Sequence, residues 1–410
     1  MTAPKLRFKE FDGEWLSAPL KKYFPKIRNG FVGVATPYYV EKGVKYLQGK
    51  NVKDGKIDPT GLIYISEDFH LKKNNSKLSI DDILMVQSGH VGECAVIGRE
   101  YDNANCHALI VLSPHQEQKT NSHFVKYYFY TPIGKKVISQ IKTGNTIEHV
   151  LASEIKEVEL NFPSKAEQTK IASFLSAVDE KISQLTQKHE LLNQYKQGMM
   201  QKLFSQQIRF KADDGSEFGE WEETTISKIS STISTGATPS TLKEEYWNGN
   251  IKWMSSGELN HRHVHDVEKT ITELGFKSSS TKILPKHCVL IGLAGQGKTR
   301  GTVAINYIEL CTNQSIAAIH PNPKVFDYRF IFFNLDMRYQ ELRALSTGDG
   351  GRGGLNLQII KGVEIHLPCL EEQTKIANIL SSIDQKIEVV AQQIEQAKQW
   401  KEGLLQQMFV

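Results

Sequence analysis

The chain has 410 residues, a net charge of +4, 40% hydrophobic residues and 23% charged residues. This length suits two to four domains, and the composition is that of a soluble globular protein rather than a membrane protein. The N-terminal residues lack the apolar core of a signal peptide, and the five cysteines are scattered without a CxxC pair. We therefore expect a reduced, cytoplasmic protein without a membrane segment.

Three short motifs occur once in each half of the chain. They are RFK at Arg7–Lys9 and Arg209–Lys211, GEW at Gly13–Trp15 and Gly219–Trp221, and EQTKIA at Glu167–Ala172 and Glu372–Ala377. A period this long excludes a solenoid, whose units repeat every few tens of residues. The motifs indicate a duplicated module of a domain plus a helix, which suits a protein that contacts two sites on one extended ligand.

The segments 1–163 and 207–368 mix short apolar runs with glycine and asparagine turns. Four runs are typical of buried strands, namely Asp82–Val86, Ala108–Leu112, Cys288–Ile291 and Ser315–Ile319. Two further runs are typical of helices, namely Phe124–Tyr130 and Arg329–Asp336. We predict that each segment is an α+β domain.

A long helical segment follows each of these domains, at 164–206 and 369–410. The first begins with Ser164-x-x-Glu167, a capping-box pattern. Apolar residues then alternate at steps of three and four, which predicts a coiled-coil seam. The predicted interface positions are Ile171, Leu175, Val178, Ile182 and Leu185 in the first helix and Ile376, Leu380, Ile383, Ile387 and Val390 in the second. Lysines interrupt the two series at matching positions, Lys196 and Lys401.

At 1.5 Å per residue, each helix is about 60 Å long. An antiparallel pair places the end of one helix beside the start of the next, which suits a connecting domain whose ends lie close together. The motif order also matches a circular repeat, so we predict adjacent chain termini. Gly198 and Gly403 lie inside the helices at matching positions, where glycine costs about 1 kcal/mol relative to alanine. Either a partner subunit approaches closely there, or the duplication left both glycines without a role.

Two glycine-rich motifs suggest nucleotide binding but lack the required context. Gly292–Thr299 satisfies the P-loop pattern GxxxxGK[ST], yet the following Arg300–Ile305 is β-like, whereas a P-loop is followed by a helix. Gly348–Gly353 satisfies GxGxxG, but it follows a helical stretch rather than a strand. We favour glycine-rich loops that contact a polyanion and keep a P-loop enzyme as the alternative.

Other clusters are equally open to a structural role. Three histidines, His261, His263 and His265, could bind a metal from one strand face, or lie in a solvated loop or DNA-facing edge. Cys106 and His107 would point to opposite faces of a strand, which predicts a packed thiol rather than a nucleophile pair. The sequence contains no adenine-methyltransferase tetrapeptide and no nuclease or hydrolase pattern. We predict a non-catalytic protein without a metal site.

The repeated GEW motifs and the EQTKIA motif after a proline at each helix start resemble the specificity subunit of type I restriction–modification systems. The resemblance covers essentially the whole chain. The Gly-Lys-Thr-Arg-Gly loop at 297–301 and the Thr-Gly-x-Gly-x-x-Gly loop at 347–353 also look like this family's target recognition domains.

This resemblance implies a DNA-recognition function. The segments 1–163 and 207–368 would each read one half of a DNA target, while 164–206 and 369–410 would set the spacing and dock two methyltransferase subunits. S-adenosylmethionine, ATP and Mg would serve those subunits and the motor–nuclease subunits, with no cofactor in this chain. Because the loops differ between halves, we predict an asymmetric bipartite target. From the helix length of about 60 Å, we predict that the half-sites lie about one helical turn apart, centre to centre, or somewhat more.

Polar side chains in equivalent loops are the expected DNA contacts, since phosphates and base edges are contacted by such groups. They are Gln87, Ser88, His90, Asn145, Thr146 and His149 in the first domain and Thr235, Thr238, Ser255, Ser256, Gln296, Lys298, Thr299, Arg300 and Arg352 in the second. A coiled-coil scaffold that binds no nucleic acid is a further alternative.

Overall fold

The computed structural model describes residues 3–410 apart from 116, 118, 119, 145, 231, 296–298 and 346–353. The chain divides into two compact units. Unit 1 comprises Met1–Thr186 and Gln392–Val410, and unit 2 comprises Gln187–Ala391. Both long helices cross this division. The predicted domain boundaries at 163, 206 and 368 stay predictions.

The structure contains helices and strands in both halves of the chain. The helices are α1 (Glu67–Lys72), α2 (Ser122–Tyr130), α3 (Pro132–Ile141), α4 (Ala152–Glu157), α5 (Lys165–Phe204), α6 (Ile226–Ile229), α7 (Glu273–Lys277), α8 (Tyr328–Met337), α9 (Tyr339–Ala344), α10 (Leu357–Lys361) and α11 (Leu370–Gln407). The strands before α5 are β1 (Leu16–Pro19), β2 (Lys26–Asn29), β3 (Tyr39–Val40), β4 (Val44–Leu47), β5 (Val52–Lys53), β6 (Lys56–Ile57), β7 (Ile63–Ile65), β8 (Ile83–Val86), β9 (Cys94–Val96), β10 (Asn105–Cys106), β11 (Leu109–Ser113) and β12 (Glu159–Phe162). The strands after α5 are β13 (Glu222–Thr225), β14 (Ile233–Thr235), β15 (Trp247–Met254), β16 (His263–Val264), β17 (Lys269–Ile271), β18 (Val289–Gly292), β19 (Val303–Asn306), β20 (Cys311–Thr312), β21 (Ile316–Ile319) and β22 (Glu364–Leu367).

Unit 1 is built around an antiparallel sheet of order β2-β11-β8-β9. The two predicted buried strands of this half, β8 and β11, lie side by side with Met85 opposite Ile110. A second sheet has the order β10-β4-β7-β3, and β1 pairs with β12. Helix α2 packs against β9, and its apolar residues belong to the unit's largest core cluster. The α+β prediction for this half is confirmed.

Among the described residues, unit 2 repeats the centre of this topology with different side chains, with one strand more in its main sheet and one fewer in its second sheet. Its main sheet has the order β14-β21-β18-β19-β16, its second sheet has the order β17-β15-β20, and β13 pairs with β22. The predicted strands are again central neighbours, β18 and β21, with Leu290 opposite Ala318. Helix α8 takes the position of α2 and packs against β18 and β19. The duplication read from the motifs is therefore a duplication of fold.

The repeated motifs meet in one hydrogen-bonded cluster in each unit. In unit 1, the Arg7 guanidinium donates to both carboxylate oxygens of Glu167, at 2.7 and 2.8 Å, and to the Gly13 carbonyl. The Trp15 indole N–H donates to the same carboxylate at 3.4 Å. We call this the Arg–Glu–Trp cluster. It joins the start of the domain to the start of the long helix.

Unit 2 contains the same cluster. The Arg209 guanidinium donates to Glu372 at 3.1 and 2.8 Å and to the Gly219 carbonyl at 2.7 Å, and the Trp221 indole donates to Glu372 at 3.1 Å. Glu372 is fully buried, so its charge depends on these donors for the interactions that water would otherwise supply.

The capping box predicted at the first long helix is only half formed. The Ser164 hydroxyl accepts from the Glu167 N–H at 3.2 Å, as a cap should. The Glu167 carboxylate, however, is held by Arg7 and Trp15 instead of returning to Ser164. An arginine far away in sequence supplies a stronger, charge-assisted partner than a backbone N–H, and a local pattern could not reveal it.

Within each unit the two long helices run antiparallel, as predicted. In unit 1, Ile171 and Leu175 of α5 share a core cluster with Leu404 of α11. In unit 2, Leu203 of α5 shares a core cluster with Ile376 of α11. Of the predicted interface positions, all are buried except Ile182 and Ile387, which are partly buried against these clusters.

The lysines that interrupt the two seams form matching ion pairs. Lys401 lies 2.6 Å from Asp179 in unit 1, and Lys196 lies 2.5 Å from Asp384 in unit 2. In unit 1, the second carboxylate oxygen of Asp179 accepts from the Tyr127 hydroxyl at 2.7 Å. Unit 2 has Phe333 at the position of Tyr127.

The second carboxylate oxygen of Asp384 therefore lacks the hydroxyl that unit 1 provides. This oxygen, Oδ2, is buried and has no hydrogen-bond partner among the described residues. The His263 ring is also near this oxygen, with Nε2 at 4.0 Å. A buried acceptor without a donor lowers the stability of the folded state.

The chain termini lie together in unit 1, as the circular repeat predicted. The Leu6 N–H donates to the Gln407 carbonyl at 2.9 Å. Phe409 stacks on Phe124 with ring centroids 5.1 Å apart and also contacts Trp15. In unit 2, Phe204 at the end of α5 makes the equivalent contact with an aromatic residue of α8. None of the described helices is long and apolar enough to span a membrane.

We expect Glu372→Ala to destabilise unit 2 by about 3 kcal/mol or more, because it leaves the Arg209 guanidinium and the Trp221 N–H without their acceptor. The neighbouring Glu371 provides a matched control. Its carboxylate is exposed and lies 3.6 Å from Lys375, so Glu371→Ala should cost less than about 0.5 kcal/mol. Denaturant unfolding followed by tryptophan fluorescence measures both, and equal losses would contradict the assigned role of the cluster.

We expect Phe333→Tyr to stabilise unit 2 by about 1 kcal/mol, because the new hydroxyl can donate to Asp384 Oδ2 as Tyr127 does to Asp179. The control is Phe330→Tyr in the same helix. Phe330 is fully buried among aromatic rings, so its hydroxyl would lose water without gaining a comparable acceptor. In thermal unfolding, the melting temperature should rise for Phe333→Tyr and fall for Phe330→Tyr. A fall for both variants would refute the prediction.

Candidate DNA-recognition loops

In unit 1, the loop after β8 meets the segment that precedes α4. Ser88 and His149 form an isolated antiparallel bridge. The Val150 N–H donates to the Gln87 carbonyl at 2.9 Å. Gln87 is half-buried, whereas Ser88 and His90 are exposed. The structure thus brings both predicted DNA-contact segments of this half into one exposed surface.

His149 also closes the turn to which it belongs. Its backbone exchanges hydrogen bonds with Thr143 at 2.8 and 2.9 Å, and its Nε2 lies 3.2 Å from the Thr143 hydroxyl. This imidazole therefore orders the loop, and Thr146 is exposed at its tip. Asn145 lies outside the described residues. That these residues contact DNA stays a prediction.

In unit 2, the loop with the P-loop pattern connects two antiparallel strands, β18 and β19. The Gly301 N–H donates to the Gly292 carbonyl at 2.9 Å, and the Gly292 N–H donates to the Thr302 carbonyl at 2.9 Å. Among the described residues on either side of the loop, strand β19 follows instead of the helix whose N-terminus binds phosphate in a P-loop. The P-loop alternative therefore fails on context. Gln296 and Lys298 lie outside the described residues.

The base of this loop is tied as in unit 1. The Leu355 N–H donates to the Leu293 carbonyl at 2.9 Å, which is the equivalent of the Val150–Gln87 bond. In both units, one backbone hydrogen bond therefore joins the hairpin loop to the segment before a short helix, which is α4 in unit 1 and α10 in unit 2. Arg352 and the GxGxxG motif lie outside the described residues. The element before that motif, α9, is a helix as predicted.

Four other predicted residues of unit 2 lie at defined places in the fold. Thr235 ends β14 opposite Ala317. The Ser255 hydroxyl donates to Glu258 at 3.0 Å in the cap of a short 3-10 helix, which is a structural role. Thr299 and Arg300 are half-buried where the hairpin loop returns to β19.

A turn that the sequence reading missed connects several of these residues. Residues 313–315 join β20 to β21. The Thr238 hydroxyl donates to Gln314 Oε1 at 2.7 Å, and the Ser256 hydroxyl lies 3.5 Å from Asn313 Nδ2. The Ser315 carbonyl accepts from the Leu293 N–H at 2.8 Å. In the sequence, this turn could have been found as a run of polar residues between two buried apolar runs.

The two clusters considered for other chemistry serve packing. His263 lies in β16 with its ring 5.4 Å from that of Phe332, and His265 stacks on Tyr307 at 4.6 Å. In the part of the chain that the structure describes, no three metal-ligating side chains converge. Burial raises the pKa of the Cys106 thiol to about 12, so it is a packed thiol as predicted.

Burial also lowers the pKa of five histidines below the ordinary value of 6.5, namely His70, His107, His123, His263 and His320. The folded state favours their neutral form, whereas the unfolded state takes up protons below this value. The stability present above pH 6.5 is therefore lost as the pH falls.

We expect the melting temperature to fall between about pH 7.5 and about pH 5.5. His263→Gln should reduce this dependence, because it removes one group that binds a proton only after unfolding. Thermal unfolding across this range measures both. A melting temperature that rises on acidification would contradict the assignment.

The amino-acid sequence matches the family described as "Type I restriction modification DNA specificity domain" at residues 21–194 and again at 219–399. The two matches fall on the two halves that carry the repeated motifs. Together they cover well over half of the chain.

Named relatives are similar over nearly the full length. A Methanocaldococcus jannaschii protein, provisionally named type I restriction enzyme MjaX specificity subunit, is 25% identical over 98% of this chain and 94% of its own. The type I restriction enzyme StySPI specificity subunit of Salmonella potsdam is 24% identical over 93% of this chain and 85% of its own.

A solved structure supports the same fold. The S subunit of a type I restriction–modification system from M. genitalium superposes with a TM-score of 0.64 at 18% identity, covering 100% of this chain and 99% of that one. With the family matched in both halves, the chain belongs to the type I restriction–modification DNA specificity family.

Proposed function

We propose that this chain is the DNA-recognition subunit of a type I restriction–modification complex and that unit 1 and unit 2 each read one half of an asymmetric bipartite target. It supplies specificity without catalysis. The observation that carries the proposal is a contrast within the duplication. The Arg–Glu–Trp cluster, the central strand pair and the bond at the base of the loop occur in both units, whereas the side chains of the loops differ.

The contrast is clearest at the loops after β8 and β18. Both are tied at the base by one equivalent backbone hydrogen bond, Val150 to Gln87 and Leu355 to Leu293. Backbone bonds hold a loop in place whatever side chains it carries. The exposed groups can therefore change without loss of the fold, and different donors and acceptors select different base edges.

We further propose that α5 and α11 dock two methyltransferase subunits, joined by motor–nuclease subunits for cleavage. A Cβ at Gly198 would meet no atom of the described residues, and one at Gly403 would meet only Gln407 of its own helix at 4.0 Å. Packing within the chain therefore does not require either glycine. Each lies three residues after an exposed aromatic residue, Tyr195 or Trp400, which fits a surface covered by another subunit.

On this proposal the chain itself carries no cofactor. S-adenosylmethionine would be bound by the methyltransferase subunits, and ATP and Mg would be used by the motor–nuclease subunits. The hairpin that carries the P-loop pattern argues against nucleotide binding there, and the buried Cys106 thiol argues against a nucleophile.

We expect His90→Ala to relax or weaken recognition of one half-site only and Thr299→Ala to affect only the other. Loss of a base contact should reduce discrimination about 5- to 150-fold at the affected base pair. Methylome sequencing of a host that expresses the chain with its partner methyltransferase measures both halves at once. His366→Ala, at an exposed histidine of β22, is the control and should leave the motif unchanged.

Three outcomes would contradict the proposal. The first is a palindromic motif for the unaltered chain, which would mean that the two units read the same sequence. The second is a loop variant that alters both halves together. The third is an absence of salt-sensitive DNA binding by the complex, which would favour a scaffold without nucleic acid.

A further inference from the structure

The turn between β20 and β21 differs between the units in both length and chemistry. In unit 1 the corresponding strands, β10 and β11, are joined by His107 and Ala108. In unit 2 they are joined by three residues, Asn313, Gln314 and Ser315. The flanking strands are buried in both units and pair in the same way. The added residue and the two amides are therefore a surface feature of unit 2 and not a requirement of its core.

The backbone of this turn is fixed on both sides. The Asn313 N–H donates to the Met254 carbonyl at 3.1 Å, and the Asn313 side chain accepts from the Ser315 N–H at 3.1 Å. The Ser315 carbonyl accepts from Leu293 at the base of the hairpin loop. The turn thus lies beside the loop that is proposed to contact DNA.

The Gln314 side chain is exposed and yet held in place. Its Oε1 accepts from the Thr238 hydroxyl at 2.7 Å. The loop that carries Thr238 is itself anchored, because the indole N–H groups of Trp253 and Trp247 donate to the carbonyls of Ala237 and Ser240 at 3.0 and 3.1 Å. Holding an exposed glutamine costs rotamer entropy that no burial offsets. Such ordering is typical of a side chain arranged in advance for a ligand.

We propose that Gln314 reads an adenine in the half-site of unit 2 and that Thr238 is its positioning residue; this rests on the proposed function. A glutamine amide pairs with adenine in the major groove by donating from Nε2 to N7 and accepting at Oε1 from the N6 amino group. The Thr238 hydroxyl donates to one lone pair of Oε1, which leaves the second lone pair to accept from the N6 amino group. Fixing Oε1 also fixes which end of the amide accepts.

Unit 1 has no glutamine in its shorter turn, which consists of His107 and Ala108. The His107 ring is half-buried with Nδ1 3.0 Å from the Tyr46 hydroxyl, and Ala108 has only a methyl group beyond the backbone. The inference therefore assigns an adenine to one half of the target at a position where the other half has no glutamine. This asymmetry is independent of the hairpin loops discussed above.

The test compares methylomes of hosts that express the partner methyltransferase with Gln314→Ala, Gln314→Glu, Thr238→Val or Thr238→Ser. Gln314→Ala should reduce discrimination about 5- to 150-fold at one A·T pair in one half-site. Gln314→Glu should shift the preference there toward cytosine, since a carboxylate accepts from the N4 amino group. Thr238→Val removes the hydroxyl that holds Oε1 and should cause a smaller loss of discrimination. Thr238→Ser keeps a hydroxyl and should cause no such loss. Gln207→Ala, at an exposed glutamine outside the turn, should leave the motif unchanged.

The outcomes separate this inference from the proposed function. If the unaltered chain directs methylation at a bipartite motif and Gln314→Ala leaves that motif intact, the inference is wrong and the function stands. Relaxation at a G·C pair would also overturn the adenine assignment. Loss of all methylation in both Gln314 variants would contradict it too, because a reader of one base pair is not needed for assembly. If the unaltered chain directs no bipartite methylation, the proposed function itself fails.

Discussion

A buried carboxylate at the start of each long helix determines how each unit is assembled. Glu167 and Glu372 each accept from an arginine, which also holds the backbone of the GEW motif, and from the tryptophan of that motif. The carboxylate cannot keep its charge in the interior without these donors. Three segments that are distant in sequence therefore have to meet at one point, and the helix leaves the domain in one fixed direction.

This fixed frame explains how recognition can vary. The loops proposed to contact DNA lie on hairpins of the main sheet of each unit. Backbone hydrogen bonds join them to the segment before α4 in unit 1 and before α10 in unit 2. The side chains of these loops contribute little to the core. Substitutions there leave the Arg–Glu–Trp cluster and the helix pairing intact. On the proposed function, they change which base edges each unit matches, so a duplicated chain can carry two different specificities.

The differences between the units are as informative as the likeness. Asp179 has a tyrosine hydroxyl for its second oxygen, whereas Asp384 faces a phenylalanine and a histidine. The turn at Gln314 has one more residue than its counterpart. The first difference affects stability, because it leaves a buried acceptor without a donor. The second adds an ordered amide at the surface without changing the pairing of the flanking strands, and we propose that this amide serves recognition.

The sequence by itself determined the duplication, the central strands, the two long helices and the hairpin context of the P-loop pattern. These depend on local periodicity and on motif order, which are readable along the chain. The tertiary structure alone decided the partners of Glu167, the pairing of Lys196 with Asp384 and the place of Gln314. In each case the partner lies tens to hundreds of residues away, so no local pattern specifies it. The prediction of a capping box at Ser164 was half wrong for the same reason, because the distant Arg7 binds the Glu167 carboxylate more strongly than the neighbouring backbone N–H would.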